Sequence, residues 1–244
     1  MSLTTTWATT HRVLQQLRRD PRTLAMVFIV APALLTLFKY IFDHEPAVFA
    51  RIGAPMIGLF PLIMMFLITS IAMLRERTTG TLERLMSLPI AKLDLLLGYA
   101  LAFALLAAVQ GTITGTVGFE LLGVQARGPA WAVVVLAIGN SLLGMSLGLL
   151  LSAFARTEFQ AVQFLPAVLI PQILVGGLLL PRDHMPRALQ IVAEALPISY
   201  AYDALARVAA DTIDGTLWLD ISVMTGSVAL ALILGAATLR RRTG

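Results

Sequence analysis

Apolar residues along this chain gather into six long blocks, each followed by a shorter polar stretch. A helix needs about 20 such residues to cross the hydrocarbon core of a bilayer. The pattern predicts transmembrane helices over residues 24–42, 52–74, 95–119, 130–154, 161–180 and 219–239. Pro32, Pro55, Pro61, Pro166 and Pro171 fall in the first, second and fifth blocks. They predict kinks rather than breaks, because neighbouring membrane helices can satisfy the freed backbone groups.

Ahead of the first block, Leu3, Trp7, Thr10, Leu14 and Leu17 recur at helical spacing, with Arg12, Arg18 and Arg19 close by. Residues 3–19 are therefore expected to form a helix in the membrane interface, with Trp7 as anchor and the arginines meeting anionic lipid. A solvated tail turn is the alternative. Asp20 and Pro21 read as the cap and first residue of the next helix. A polar stretch precedes the first apolar block, and no small-residue cleavage pattern follows it, so no signal peptide is expected.

Composition narrows the class. Of 244 residues, 58% are hydrophobic and 13% charged, against about 25% charged in soluble domains. Mean hydropathy is +0.84. Residues 1–244 are read as a single membrane domain, with little left for a soluble one. Cysteine is absent, which excludes disulfides and thiolate metal sites. His11, His44 and His184 are too scattered to suggest a metal site. Nearly all the basic residues are arginine, which with the alanine content suggests a GC-rich bacterial source.

The pI near 10.0 raises nucleic acid as a partner, but the placement of charge argues against it. Twelve of the 18 Lys and Arg residues fall on one side of the predicted topology, including Arg75, Arg77, Arg84 and Arg240 to Arg242. Basic loops stay cytoplasmic, so both termini are expected inside. The other side carries six basic and nine acidic residues. The spans themselves are read as free of acids, with Glu120 at a helix end. Proton-coupled carriers usually place acids or histidine within the bilayer.

Two connections exceed a turn. In the loop 75–94, Gly80 can open a short helix that Pro89 ends. Glu83 would sit in its first turn, where the helix dipole favours an acid. Leu82, Leu85, Met86 and Pro89 form one apolar stripe, which must be buried against a partner, the membrane surface or this chain's own helices. In the segment 181–218, Met185, Leu189, Val192 and Leu196 suggest a short amphipathic helix, and the stretch is too apolar for a solvated loop.

Gln110, Thr112, Thr114, Asn140, Ser141, Ser146, Gln163 and Gln172 lie within the spans and are expected to hydrogen-bond between helices. Gly111 with Gly115, and Gly144 with Gly148 and Ser152, have the spacing of close helix packing. Residues 144–148 also match the nucleophile-elbow pattern of serine hydrolases, but that motif needs a strand-to-helix turn and a nearby histidine. Lys39 is expected to snorkel to the outer interface.

The loop resembles the segment after the second span of type-2 ABC exporter permeases, the daunorubicin/doxorubicin type of efflux system. The matching residues are Glu76, Gly80, Thr81, Leu82, Glu83, Leu85 and Pro89. The resemblance extends over essentially the whole chain. It implies an all-α fold with six transmembrane helices, an N-terminal interfacial helix, a cytoplasmic coupling helix and external re-entrant helices before the last span.

Glu76, Gly80, Thr81, Leu82, Glu83, Leu85, Met86 and Pro89 would then form the ATPase-coupling segment, and Pro186, Pro197 and Tyr200 would belong to an external gate. The implied assembly is two permeases, identical or related, with two ATPase subunits in a bacterial plasma membrane, exporting a lipophilic or amphipathic compound. This chain would be no enzyme by itself. No G-x-x-x-x-G-K-[ST] loop occurs in it, so ATP and Mg would sit on the partner. An ion-coupled carrier and a glycan- or lipid-exporting permease are the alternatives.

Overall fold

The structure, a computed structural model, describes residues 3–86, 92–178 and 180–238. Among these there is no strand. In chain order the helices are α1 (Leu3–Arg18), α2 (Pro21–Ile41), α3 (Pro46–Thr78), α4 (Thr81–Met86), α5 (Lys92–Thr116), α6 (Ala130–Leu151), α7 (Glu158–Phe164), α8 (Ile170–Val175), α9 (Arg187–Glu194), α10 (Pro197–Ala209) and α11 (Gly215–Ala237). A π turn, Val117–Leu121, prolongs α5, and another, Leu165–Leu169, joins α7 to α8. Six stretches are long and apolar enough to cross a membrane: Pro21–Ile41, Pro46–Thr78, Asp94–Leu121, Ala130–Leu151, Glu158–Val175 and Gly215–Ala237. The chain is an all-α, multi-pass membrane protein.

Local chemistry accounts for the boundaries. The Asp20 carboxylate accepts from the Thr23 amide (3.2 Å) and hydroxyl (2.6 Å), satisfying donors that the first turn of α2 leaves open. Pro32, Pro55 and Pro61 lie inside continuous helices, and the Thr36 hydroxyl donates to the Pro32 carbonyl at 2.8 Å. Around Pro166 the helix instead widens into the π turn. The fifth crossing stops at Val175 rather than reaching 180, because Gly177 adopts φ +103° in the turn that follows.

The most extensive contact joins α3 to α6, and small residues make it possible. A Cβ on Gly144 would stand 2.1 Å from the Leu62 carbonyl oxygen, and one on Gly148 would stand 2.5 Å from that of Phe66. The Thr69 hydroxyl crosses the seam to the Met145 carbonyl at 3.2 Å. Gly111 and Gly115 serve the α5–α6 contact in the same way, against Ile138 and Val134. The spacing of these glycines thus does what it predicts.

Two sequence expectations need correction, and one gains detail. Of the polar residues expected to bond between helices, Gln110 does so, donating to the Val27 carbonyl at 3.0 Å. Thr112, Thr114, Asn140, Ser141 and Ser146 instead return to carbonyls three or four residues back in their own helices. Ser146 is fully buried, so the hydrolase-like pattern has no exposed nucleophile. Second, α1 also packs on α5: Thr10 and Leu17 of the expected stripe are buried together with Thr6, Thr9 and Val13, while its Leu3 and Trp7 point outward. The Thr10 hydroxyl reaches the Gly98 carbonyl at 3.1 Å. Third, the spans are not free of acids. Asp220 lies in α11, is buried, and accepts from the Arg207 Nε at 3.0 Å. A carboxylate with a guanidinium in reach can be accommodated where a lone one would cost too much.

Candidate functional site

The sequence signal centres on the end of α3 and the short helix behind it. Thr79 closes α3: its amide bonds the Arg75 carbonyl at 2.9 Å, and its hydroxyl bonds the same oxygen at 2.7 Å. Gly80 then takes φ +72°, the left-handed conformation that lets a chain leave a helix without a Cβ clash. The Arg84 amide bonds back to the Gly80 carbonyl at 3.0 Å, starting α4 at once. The reversal between α3 and α4 is therefore a two-residue elbow.

Beneath that elbow, three consecutive side chains tie three different elements. Arg75 donates from Nε and a terminal nitrogen to both oxygens of Glu158 at the start of α7, at 2.7 and 3.1 Å. Glu76 faces α1, where Arg12 approaches to 3.4 Å and Gln16 donates at 3.2 Å. Arg77 reaches the Thr238 hydroxyl just past α11, at 3.4 Å. Successive helical residues point about 100° apart. Three neighbours on one turn can therefore reach three directions.

Arg12 is itself a junction. It bonds the Tyr99 hydroxyl on α5 as well as Glu76, and its guanidinium lies 5.4 Å from the centre of the Tyr99 ring. A planar cation that stacks and forks at once suits arginine and not lysine. The Glu76 side chain is largely buried, so its charge is offset by these partners rather than by solvent.

The predicted coupling residues thus divide. Glu76 belongs to the last turn of α3 and ties α1. Gly80 is the elbow, and Thr81, Leu82, Glu83, Leu85 and Met86 belong to α4. Leu85 packs partly against the core formed by Val13, Leu17, Met73, Leu95 and Phe103, so this part of the stripe is covered by the chain's own helices. Pro89 lies outside the described residues. At the opposite end of the bundle, Pro186 precedes α9, Pro197 begins α10, and the Tyr200 hydroxyl donates to the Glu194 carbonyl at 2.6 Å, bracing one short helix against the other.

A cavity of about 450 Å³ opens beside the elbow between α1, α2, α3 and α5. Leu17, Met26, Ile68 and Phe103 give it apolar walls; Asp20, Arg75 and Glu76 supply charge. The Thr23 hydroxyl holds the Asp20 carboxyl below its usual pKa, so it stays ionised. Such a cavity suits a molecule with both polar and apolar parts. Among the described residues no cluster of metal-ligating side chains occurs.

Sequence reasoning missed Glu158, Arg12 and Tyr99 as members of this site. Arg12 lies 64 residues from Glu76 and Glu158 lies 83 from Arg75, while Tyr99 joins through Arg12, 87 residues away, and no local spacing announces such meetings.

Comparison with known proteins now bears on this geometry. Residues 4–209 match the family described as ABC-2 type transporter. The chain is 28% identical over 186 residues to the probable multidrug ABC transporter permease YbhR of Escherichia coli, covering 72% of this chain and 50% of that one. It is 27% identical over 204 residues to ABC transporter G family member 20 of Dictyostelium discoideum, covering 82% and 28%. Against the linearmycin resistance permease protein LnrN of Bacillus subtilis it is 30% identical over 138 residues, covering 57% and 36%. The matched region spans half or less of the length of these relatives.

Proposed function

The chain belongs to the ABC-2 type transporter family, and from that premise we propose that it is the membrane-spanning permease of an exporter driven by a separate ATPase. The observation that carries the reading is the three-way anchorage of Arg75, Glu76 and Arg77 directly beneath the Gly80 elbow. A push on α4 would reach α1, α7 and the end of α11 without passing through a flexible loop. The resemblance of residues 76–89 to a coupling segment supports α4 as the surface an ATPase docks on.

Two ATPases and a second permease, identical or related, complete the assembly in this reading. The ATPases would bind ATP and Mg. The excess of Lys and Arg on the α4 end supports a cytoplasmic location for it and for both termini, in a bacterial plasma membrane. The cargo would be a lipophilic or amphipathic compound. The amphipathic cavity beside the elbow supports this, as do the multidrug and linearmycin-resistance names of relatives.

Reconstitution with the candidate ATPase tests the reading: ATP-dependent transport of amphipathic compounds into inside-out vesicles is expected, and Gly80 or Leu85 substitutions should uncouple it. Undiminished transport in those variants would sink the coupling role. Asp220 favours one competing reading, an ion-coupled carrier. Transport driven by a proton gradient without ATP would establish that instead.

A further inference from the structure

At the end of the bundle opposite α4 stand six basic side chains: Lys39, Arg51, Arg127, Arg182, Arg187 and Arg207. Four are matched to acids. Lys39 pairs with Asp43 (3.9 Å), Arg182 with Asp203, Arg187 with Glu194 (3.6 Å), and Arg207 with Asp214 (3.6 Å) and Asp220 (3.0 Å). Among the described residues, Arg51 and Arg127 make no ion pair, and both line the same cavity. Its volume is about 860 Å³, and no carboxylate lines it. That is unexpected at an end where acids outnumber bases.

The cavity is firmly built. It lies between the start of α3, the connection from α5 to α6, and α10. The Arg127 amide donates to the Ala209 carbonyl at 2.8 Å, and the Val124 amide to that of Gly118 at 2.9 Å. A Cβ on Gly128 would stand 2.0 Å from the Val208 carbonyl oxygen, so this connection lies flush on α10. Arg51 and Tyr202 line the cavity together, with the guanidinium close enough to influence the phenol. Burial raises the Tyr202 pKa, so the phenol keeps its proton as a donor. Gln125 adds a further polar group, and Phe119 and Val124 give apolar wall.

Arg51 also borders a neighbouring cavity lined by Asp183 and Asp203. No carboxylate, however, lines the space it shares with Arg127, which favours an anion between the two guanidiniums, and their planar forks match phosphate oxygens. The surroundings point to an amphiphile rather than a free ion. Leu121 and Trp131, at either end of the α5–α6 connection, are strongly exposed, and a tryptophan so placed suits the headgroup level of a bilayer. We propose that this cavity holds the phosphate of an anionic phospholipid headgroup, with the acyl chains outside along the surface that Leu121 and Trp131 mark. The proposal does not depend on the transport reading.

Native mass spectrometry of the purified full chain in detergent tests it, with phosphatidylglycerol and phosphatidylcholine as probes. Phosphatidylglycerol should bind the wild type in preference to phosphatidylcholine. The double variant R51Q/R127Q should bind it about tenfold more weakly or worse, the loss expected for removing charge-assisted hydrogen bonds. R187Q, at a paired arginine of the same end, should bind as wild type does. Equal binding of the two lipids by wild type would overturn the proposal, and this comparison needs no variant to fold. So would undiminished phosphatidylglycerol binding by a folded double variant. Displacement of the lipid by an equal concentration of inorganic phosphate would overturn the lipid assignment in favour of a free anion.

Discussion

Arg75 and Glu76 are sequence neighbours of opposite charge that face apart, Arg75 to Glu158 of α7 and Glu76 to Arg12 of α1. The two ion pairs differ in burial. Arg75 and Glu158 are each more than half exposed, whereas Glu76 is largely covered. They should therefore fail differently.

For the exposed pair, solvent screening limits the contribution to stability to about 1 kcal/mol or less. R75E and E158R should each melt close to wild type yet lower ATP-coupled transport, and the combined swap R75E/E158R should recover it. Transport in vesicles beside a thermal melt reads both. A swap that stays as inactive as the singles removes the pair's mechanical role.

For the covered pair, E76A leaves Arg12 beside Tyr99 with its charge uncompensated. Breaking a pair of this kind costs about 1–3 kcal/mol. The melting temperature should fall accordingly, and the double variant R12A/E76A should recover part of the loss. Additive losses would show that the two side chains are not coupled.

At the elbow, Gly80 holds φ +72°. G80A should cost about 1–2 kcal/mol from left-handed backbone alone, while G80N, which tolerates that region better, should cost less. Equal melts for the two variants would mean that the elbow does not require this conformation.

Within the seam, G144A places a methyl group 2.1 Å from the Leu62 carbonyl oxygen. Backbone cannot yield as a side chain can, so a loss of about 1–3 kcal/mol is expected. G226A, at a glycine of α11 with open space around its Cβ position, is the control and should be neutral or slightly stabilising. Denaturation in detergent compares them.

Asp214 caps α11, accepting from the Thr216 hydroxyl and the Leu217 amide at 3.0 Å. The Thr216 hydroxyl above all, then the Leu217 amide and the nearby Arg207, hold its carboxyl below the ordinary 3.8. A depressed carboxylate contributes above its unfolded pKa and loses that contribution as pH falls through the folded one. Hydrogen-exchange protection of the first turn of α11 should therefore decline below about pH 4 in wild type. In D214N it should not follow that titration.

Much of the fold is legible in the sequence because membrane helices must satisfy their backbone internally, which makes length and apolarity sufficient signals. The Asp20–Pro21 start and the Gly144 and Gly148 packing sites were legible for the same reason: each is a local rule. The packing face of α1 was not. Periodicity identifies a stripe, but in lipid it has no obligation to face protein: its Thr10 and Leu17 do, with Thr6, Thr9 and Val13 beside them, whereas its Leu3 and Trp7 do not. Nor were the meetings of Arg75 with Glu158, or Arg207 with Asp220, since electrostatic partners on separate helices leave no spacing to read. Asp220 in particular was hidden by the apolar residues around it in the last block.

The glycine seam has a further consequence for motion. With Leu62 and Phe66 carbonyls lying against Gly144 and Gly148, and Thr69 pinned to Met145, α3 and α6 have no room to slide past each other. They form a single plank. A rearrangement of this protein must find its slip planes elsewhere, along α2, α7–α8 and α11, whose apolar stretches are mostly left uncovered by the rest of the chain. The rigid part is the one attached to the elbow, so displacement there would carry the plank as one body, and relative movement would appear at its borders with those outer helices.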